Sequence, residues 1–219
     1  MEPDIASVAA LIGEPARATM LLALLDGRAL PAGELAFSAC VAPQTASSHL
    51  AKLVSARLLQ VENQGRHRYY RIANPRVGHA IEALGEIAPP PRVPTHRSEE
   101  WKTLRRARTC YNHLAGQCAI EIYAAFETRN FLHRVSGRSC RLTGQGRKWF
   151  EELGLDPAHD GRLCIDWTER RYHLGGPLGA ALLCGLCDRR WAVRMNKTRA
   201  VRLTVTGRTE LNKRLGVSI

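Results

Sequence analysis

The sequence predicts a mainly α-helical fold with small β-hairpins, of the α+β class. Three observations lead to this expectation. Apolar residues recur at helical spacing through most of the first 55 residues. A strand–turn–strand pattern follows at residues 59–72, and features of residues 108–152 recur about sixty residues later. The 219 residues, 45% of them hydrophobic and 24% charged, suffice for one large domain or two small ones.

Charge and targeting signals narrow the class of protein. The chain contains no apolar run near the ~18 residues of a membrane helix, and its start lacks the pattern of a signal peptide. We therefore expect a cytoplasmic protein with no membrane partner. The net charge of +12 favours anionic partners, nucleic acid first, although solubility alone is the alternative. Residues 99–219 carry 22 Lys/Arg against 12 Asp/Glu, and residues 1–98 carry 10 against 8, so the basic excess lies in the second half.

Three short helices are expected before residue 40. Apolar positions at helical spacing indicate the first over residues 5–12, and a Gly-Glu-Pro break follows it. The second covers residues 16–25 and ends at an Asp-Gly pair. The third is short, covers residues 31–39 and begins with proline.

A fourth helix is predicted over residues 43–55, where Ala46, Leu50, Leu53 and Val54 share one face. The rest of its surface is crowded with small polar or basic side chains, namely Gln44, Thr45, Ser47, Ser48, His49 and Lys52. Such side chains near a helix N-terminus reach phosphates and base edges in the major groove of DNA. For this segment alone, a capped and solvated helix is the alternative.

The next segment favours the DNA interpretation. Residues 59–72 read as strand, turn and strand, and the tip of the predicted hairpin carries Arg66, His67 and Arg68. A helix-turn-helix followed by a basic hairpin is a winged helix. In that arrangement the helix enters the major groove, and the wing arginines contact phosphate or the adjacent minor groove.

The stretch TASSHLAKLVSARLLQVENQGRHRYYRI, residues 45–72, resembles the ArsR family of bacterial repressors. The matching features are Ser-x-His-Leu-x-x-Leu, then Leu-Leu, then Gly-Arg and Tyr before the last strand. The resemblance covers residues 5–88. It implies that the polar face of the fourth helix contacts DNA, with His49 either joining that face or packing inside. One departure is Ala42, where many family members have a capping Ser.

A helix predicted over residues 75–88 carries an apolar stripe that includes Ile81 and Leu84. The resemblance assigns it to a dimer interface with the N-terminal helix, and packing on its own domain is the alternative. A two-fold homodimer would present two recognition helices roughly 34–36 Å apart and read an inverted repeat in double-stranded DNA. The family's usual metal sites are missing, because its Cys-x-Cys pair is reduced to Cys40 and the last helix lacks the ligand spacing.

The domain boundaries follow from composition. Residues 88–100 are rich in proline and polar side chains, which is typical of a linker. We therefore place a winged helix-turn-helix domain for DNA binding and dimerisation at residues 1–88, a linker at residues 89–100, and a C-terminal domain at residues 101–219.

The C-terminal domain is an internal duplication. The His-Leu-small-Gly run at His113 recurs at His173, and the Arg-Leu-Thr run at Arg141 recurs at Arg202. Each unit reads as that His run, a helix, an aromatic-containing strand, a basic turn, a Leu-Thr strand and a closing helix. We interpret the domain as two half-winged-helix units packed as a pseudo-symmetric pair, which would enclose a site at their interface.

Four residues near the repeated histidines form the candidate effector site: Cys110, His113, Cys164 and His173. Seven cysteines, an odd number, and no export signal argue against a disulfide framework. Thiolates with imidazoles suit zinc, cadmium or mercury, so a thiophilic metal or metalloid ion is a candidate cofactor. The alternative is that the histidines are structural and the cysteines fill small buried spaces.

The remaining cysteines give weaker signals. The Cys184-Gly-Leu-Cys187 motif lies inside a predicted helix, without a second such pair, so we read it as core filling rather than as a redox site. Cys118 or Cys140 is a candidate oxidation-sensitive thiol, and the flanking Arg138 and Arg141 would lower the pKa of Cys140.

The sequence as a whole predicts a homodimeric DNA-binding repressor released by an effector. A metal or metalloid ion, a thiol oxidant and a small organic ligand all remain open as the effector. Arginines in residues 105–108, 189–190 and 194–202 are candidates for extra phosphate contacts, for neutralising an acidic effector, or for solubility alone. A thiol- or metal-dependent enzyme and a constitutive architectural or RNA-binding protein are the rivals. The chain lacks P-loop, dinucleotide, HExxH and GxSxG motifs, so no enzymatic activity is expected.

Overall fold

The computed structural model describes residues 2–64, 67–89, 99–196 and 198–219, apart from the side chain of His67. The chain divides into two compact units, Met1–Gly85 and Glu86–Ile219. Arg66 of the predicted wing tip and residues 90–98 of the predicted linker lie outside the described residues.

The first unit is a winged helix-turn-helix. Its elements in chain order are α1 Ile5–Ile12, α2 Pro15–Ala23, β1 Leu30–Pro31, α3 Ala32–Ser38, α4 Pro43–Ser55, β2 Leu59–Gln64, β3 His67–Ile72 and α5 Pro75–Ile87, whose last residues belong to the second unit. The antiparallel sheet has the order β1-β3-β2.

Helical spacing of apolar residues builds the core of this unit. Met20 and Leu21 of α2, Leu35 of α3, and Leu50 and Leu53 of α4 are completely buried. Burying side chains of this kind contributes about 1.5–3 kcal/mol each. This packing holds α3 and α4 against α2, so the opposite face of α4 points to solvent.

The sequence predicted the helices of this unit with small errors at their ends. Helix α2 ends at Ala23 rather than at residue 25, and Leu24 and Leu25 are buried in the turn that follows. Strand β1 was not predicted, because two residues are too short for any alternation. Its Leu30 and Pro31 pair with Tyr70 and Tyr69 of β3.

The second unit contains five helices and eight strands among its described residues. They are α6 Glu99–Arg106, β4 Arg108–Cys110, β5 His113–Ala115, α7 Gln117–Thr128, β6 Leu132–Ser136, β7 Ser139–Leu142, α8 Gly144–Glu152, β8 Gly161–Ile165, β9 Tyr172–Gly175, α9 Gly176–Asp188, β10 Ala192–Arg194, β11 Val201–Leu203 and α10 Val205–Leu215. Glu99 and Glu100, which composition assigns to the linker, instead begin α6, where acidic residues favour a helix N-terminus.

The internal duplication is visible in matched details. Thr143 caps α8 by accepting a hydrogen bond from Gly146 N, and Thr204 caps α10 by accepting one from Gly207 N. Each glycine lies against a backbone carbonyl, since an added Cβ would stand 2.1 Å from Phe131 O or Trp191 O. In chain order, each repeat contains a hairpin, a helix, a second hairpin and a closing helix.

Strand pairing joins the two repeats. Strands β6-β7-β8-β9 form one antiparallel sheet, in which β7 of the first repeat pairs with β8 of the second. A matching contact joins β4 of the first repeat to the start of β11 in the second, where Arg108 forms an isolated bridge with Ala200. The sequence predicted the duplication but not the hairpins β4–β5 and β8–β9, because these strands of three to five residues show little alternation.

An aromatic cluster fills the centre of the second unit. The ring of Phe126 lies 5.1 Å from that of Trp149 and 6.1 Å from that of Phe150, both at edge-to-face angles.

Among the described residues, no single helix is long and apolar enough to cross a membrane. Helices α1 and α2 reach the required length and apolar character only when they are taken together, as a pair bent by 83°.

Candidate DNA-binding surface and cysteine–histidine cluster

Helix α4 separates an apolar face from a polar one. Ala46, Leu50 and Leu53 are fully buried. Five of the predicted DNA-contacting side chains are exposed on the other face: Gln44, Thr45, Ser47, Ser48 and Lys52. Pro43 occupies the first turn, and Ala42 provides no side-chain cap, as the departure from the family pattern predicted.

His49 is placed differently from its neighbours on α4. Its side chain is only 15% exposed. Its Nδ1 lies 3.3 Å from Arg17 Nη1 and 3.6 Å from Glu14 Oε2, so the ring packs against the start of α2. The structure thus separates His49 from the exposed polar face, and a role in DNA contact stays a prediction.

The predicted wing is an antiparallel hairpin. Strands β2 and β3 pair in register from Leu59↔Ile72 to Gln64↔His67. Arg68 is exposed and lines one open groove together with Ser47 and Ser55 of α4. The polar face of α4 and the base of the wing therefore form one continuous surface.

The four residues predicted as an effector site come together in the second unit. Cys110 of β4 is the register partner of His113 of β5, and Cys164 of β8 is the register partner of His173 of β9. Cross-strand partners project from the same face of a hairpin. Each repeat therefore contributes one Cys–His pair, and the two pairs face each other.

Distances within this cysteine–histidine cluster are short. One ligand atom from each of the four residues lies within 4.8 Å of all the others. The two Nε2 atoms of His113 and His173 are 3.2 Å apart. The residues are 9%, 2%, 7% and 0% exposed in the order Cys110, His113, Cys164 and His173, so bulk water barely reaches the cluster.

Hydrogen bonds within the cluster change the pKa of one of its thiols. A bond from Cys110, together with bonds from His113 and His173, lowers the pKa of the Cys164 thiol far below its ordinary value, although burial opposes this. His113 Nδ1 lies 3.4 Å from Asn112 Oδ1. His173 Nδ1 is buried without a hydrogen-bond partner among the described residues.

Glu86 is a neighbour of the cluster that the sequence did not indicate. Its Oε1 accepts hydrogen bonds from Cys164 Sγ at 3.6 Å and from Ile165 N at 3.4 Å. Its Oε2 pairs with Arg138, and the side chain is 8% exposed. The contact joins residues far apart in sequence, so spacing carried no signal for it.

Gly175 gives His113 the space it occupies. A Cβ at Gly175 would stand 2.9 Å from His113 Nε2 and 3.0 Å from its Cε1. The first repeat has Ala115 at the matching position. Aligning the two His runs therefore shows that the second repeat has glycine where the first has alanine, which could have pointed to Gly175.

The prediction that Arg108 is a surface residue available for phosphate contact is wrong. Arg108, a candidate phosphate contact by sequence, is 0% exposed and donates from Nη2 to Asp166 Oδ2 at 2.8 Å. Burial alone raises the pKa of Asp166, but the charge of Arg108 and hydrogen bonds from Thr168, Arg108 and Gly116 outweigh it and hold the pKa below its usual range. The pair sits beside the cluster, two residues from each cysteine in sequence.

One expectation about the other cysteines is wrong, and another holds for half of its pair. Burial raises the pKa of the Cys140 thiol to about 11, so the flanking arginines do not activate it. Of the pair expected to fill the core, Cys187 is partly buried against it, whereas Cys184 is exposed on α9 with its Sγ 3.7 Å from Asp188 Oδ2. Cys118 is buried, and its pKa is likewise raised to about 11 by burial.

Comparison with curated proteins gives the class of this chain. An uncharacterized HTH-type transcriptional regulator, YdfF of Bacillus subtilis (strain 168), is 42% identical over 227 residues, and the alignment covers 100% of both chains. The chain belongs to the HTH-type transcriptional regulators. Since its first unit is a winged helix-turn-helix, this regulator is a DNA-binding protein. No protein-family model matches the chain.

Several solved structures are similar to part of the regulator. NolR from Sinorhizobium fredii is 26% identical, with 37% of this chain and 81% of that chain covered at a TM-score of 0.35. The homodimeric winged helix-turn-helix domain of Mb0332 from Mycobacterium bovis is 25% identical, with coverage of 36% and 73% and a TM-score of 0.35. The cadmium sensor CMTR from Mycobacterium tuberculosis is 27% identical, with coverage of 43% and 93% and a TM-score of 0.32.

Proposed function

We propose that this regulator is a homodimeric repressor of the ArsR type, which binds an inverted-repeat operator and leaves it when an effector binds the C-terminal domain. The observation that carries the DNA-reading part is the exposed polar row on α4, continuous with Arg68 of the wing. The family assignment rests on the resemblance of residues 45–72.

The polar row fits the chemistry of DNA recognition. The major groove is about 12 Å wide and admits one α-helix. Gln44 and Thr45 lie in the first turn of α4, where side chains and backbone N–H groups approach base edges and phosphates. Lys52 and Arg68 supply positive charge on the same surface. Because the opposite face of α4 is locked into the core, the exposed face would dock without rearrangement.

Removing one of these positively charged side chains tests whether DNA binds to this surface. We expect Lys52→Ala and Arg68→Ala each to weaken operator binding and to reduce the slope of log K against log salt by about 1 for each phosphate that the variant no longer neutralises. Fluorescence anisotropy between low and physiological salt measures the slope. Lys148→Ala, which removes an exposed charge from α8, is the matched control and should leave the slope unchanged. Salt slopes equal to the wild-type slope in all three variants would contradict the proposed DNA-binding surface.

Dimer formation is supported by an apolar helix, α1, most of whose side chains stay exposed within the described chain. Helix α1 reads IASVAALI, and none of its residues is buried. Ile5 is 72% exposed and Val8 is 41% exposed, and Leu84 of α5 is 43% exposed. Exposed apolar surface of this kind marks an interface, and a two-fold dimer would cover the same patch on both copies.

A charge on α1 should therefore break the dimer. We expect Ile5→Glu to shift the protein toward monomer and to weaken operator binding, because each half-site would then be held alone. Val205→Glu in α10 is the control, since Val205 is equally exposed, at 72%. Sedimentation equilibrium at several concentrations distinguishes the two variants. A monomeric wild type, or an Ile5→Glu variant that stays dimeric, would contradict this interface.

The repressor and its release are tested on DNA from the gene's own upstream region. We expect tight binding to one inverted-repeat duplex, and loss of that binding with one class among metal ions, thiol oxidants and organic ligands. The coupling between effector and DNA would be about 1–3 kcal/mol, or roughly 5- to 150-fold in affinity. Equal affinity for a scrambled duplex would overturn the proposal.

A further inference from the structure

We propose that Cys110, His113, Cys164 and His173 form a tetrahedral site for one zinc-class divalent cation, and that this cation is the effector of the regulator. The effector role rests on the proposed function, whereas binding of the cation does not. The site is built by the duplication, because each repeat contributes one cross-strand Cys–His pair.

The spacing of the ligand atoms fits such a cation. Zinc bonds of roughly 2.0–2.1 Å to nitrogen and about 2.3 Å to sulfur place the ligands of a tetrahedral site roughly 3.3–3.8 Å apart. The two histidine Nε2 atoms are already 3.2 Å apart. No two of the four ligand atoms are more than 4.8 Å apart, so each pair would close by about 1.5 Å or less.

Burial favours a cation over a purely structural cluster. The two imidazoles meet through their Nε2 atoms, which lie 3.2 Å apart. A cation between them would accept the lone pair of each nitrogen. Two thiolates would balance the double charge of one cation, and two neutral imidazoles would complete its coordination, so the site would bury no net charge.

The donor set selects the kind of metal. Sulfur and imidazole ligands favour zinc, cadmium and similar soft or borderline cations, while magnesium and calcium take oxygen ligands. Four protein ligands in a site this buried leave no open coordination position, which is typical of a structural or sensing site rather than a catalytic one.

Cobalt(II) tests the site directly. The reduced, metal-free full chain is titrated with cobalt(II), and zinc and cadmium then compete for the site. We expect one ion per chain, with the visible absorption of tetrahedral cobalt and sulfur-to-cobalt charge transfer. Cys110→Ser and Cys164→Ser should lower zinc affinity by more than the roughly 100-fold that changes around a metal site can cost. Cys184→Ser and Cys187→Ser, on α9, are the matched controls and should bind as wild type.

Contrary outcomes are equally specific. An octahedral cobalt spectrum, or binding that is lost in Cys184→Ser and kept in Cys110→Ser, would overturn the site. Circular dichroism of each variant shows whether it is folded. If Cys164→Ser does not fold, the wild-type spectrum together with Cys110→Ser, at the more exposed edge of the cluster, decides the question.

DNA anisotropy with and without zinc tests the effector role. We expect zinc to lower operator affinity by at least about 5-fold in wild type and to have no effect in Cys110→Ser. Zinc bound without any change in DNA affinity would overturn the effector role. A tetrahedral spectrum in a protein that binds no duplex would instead overturn the proposed function and leave the metal site standing.

Discussion

Replacing Asp166 with alanine should lower the free energy of unfolding of the second unit by about 3–5 kcal/mol, because it leaves a buried guanidinium without its partner. Arg108 and Asp166 are both 0% exposed. Asp166 Oδ2 also accepts a hydrogen bond from Gly116 N at 2.7 Å, and its Oδ1 accepts one from Thr168 N at 2.9 Å. Glu169 N donates to the same Oδ1 at 3.2 Å, so the alanine variant removes the acceptor of three backbone N–H groups, which adds to the cost.

Tryptophan fluorescence in a urea titration reports on this unit alone, since all four tryptophans lie between residues 101 and 191. Asp160→Ala is the control. It removes one partner of the Arg141–Asp160 ion pair, whose side chains are 54% and 63% exposed, and solvent screens such pairs strongly. The urea midpoint should move far for Asp166→Ala and little for Asp160→Ala. Similar midpoints would show that the buried pair is not what stabilises the two hairpins.

Gly146→Ala should destabilise the second unit by about 1–3 kcal/mol or more, the range for forcing extra atoms into a packed interior. The added Cβ would stand 2.1 Å from Phe131 O and 3.0 Å from Leu142 Cδ2. The first obstacle is backbone, so it cannot move aside as a flexible side chain does. Helix α8 would have to shift away from the β6–β7 hairpin.

The same substitution two residues earlier is the control for this prediction. A Cβ at Gly144 meets no atom within 4 Å, so Gly144→Ala should be neutral or stabilising by up to about 1 kcal/mol. Thermal unfolding of the two variants should therefore move in opposite directions or differ greatly in size. Gly207→Ala, which repeats the clash at Trp191 O in the second repeat, should behave like Gly146→Ala. A harmless Gly146→Ala would mean that the carbonyl contact is not tight.

The first unit could be predicted almost completely from its sequence. Its helices are amphipathic, and Ala46, Leu50 and Leu53 are fully buried as their spacing indicated. The short hairpin follows from a local turn signal. Among the described elements of this unit, strand β1 was not predicted, because a two-residue strand is defined by its partner in β3 rather than by its own residues.

The cysteine–histidine cluster was predictable for a different reason. No local motif marks it, since Cys110 precedes His113 by three residues while Cys164 precedes His173 by nine. The duplication supplied the signal, because equivalent residues of two symmetric repeats meet where the repeats pack. Sequence could not decide the pairing of β4 with β5 and β8 with β9, which aligns each cysteine with its histidine.

By itself, the sequence determined the helical spacing, the two strands of the hairpin, the duplication and the four residues of the cluster, because each depends on a pattern of neighbouring or repeated residues. The tertiary structure decided the environment of every charged and titratable group. Arg108 became a buried ion partner, Cys140 a thiol with its pKa raised by burial, and Glu86 a neighbour of Cys164. The physical reason is that burial and electrostatic partners are set by residues distant in sequence, and local composition contains no information about which of them will meet.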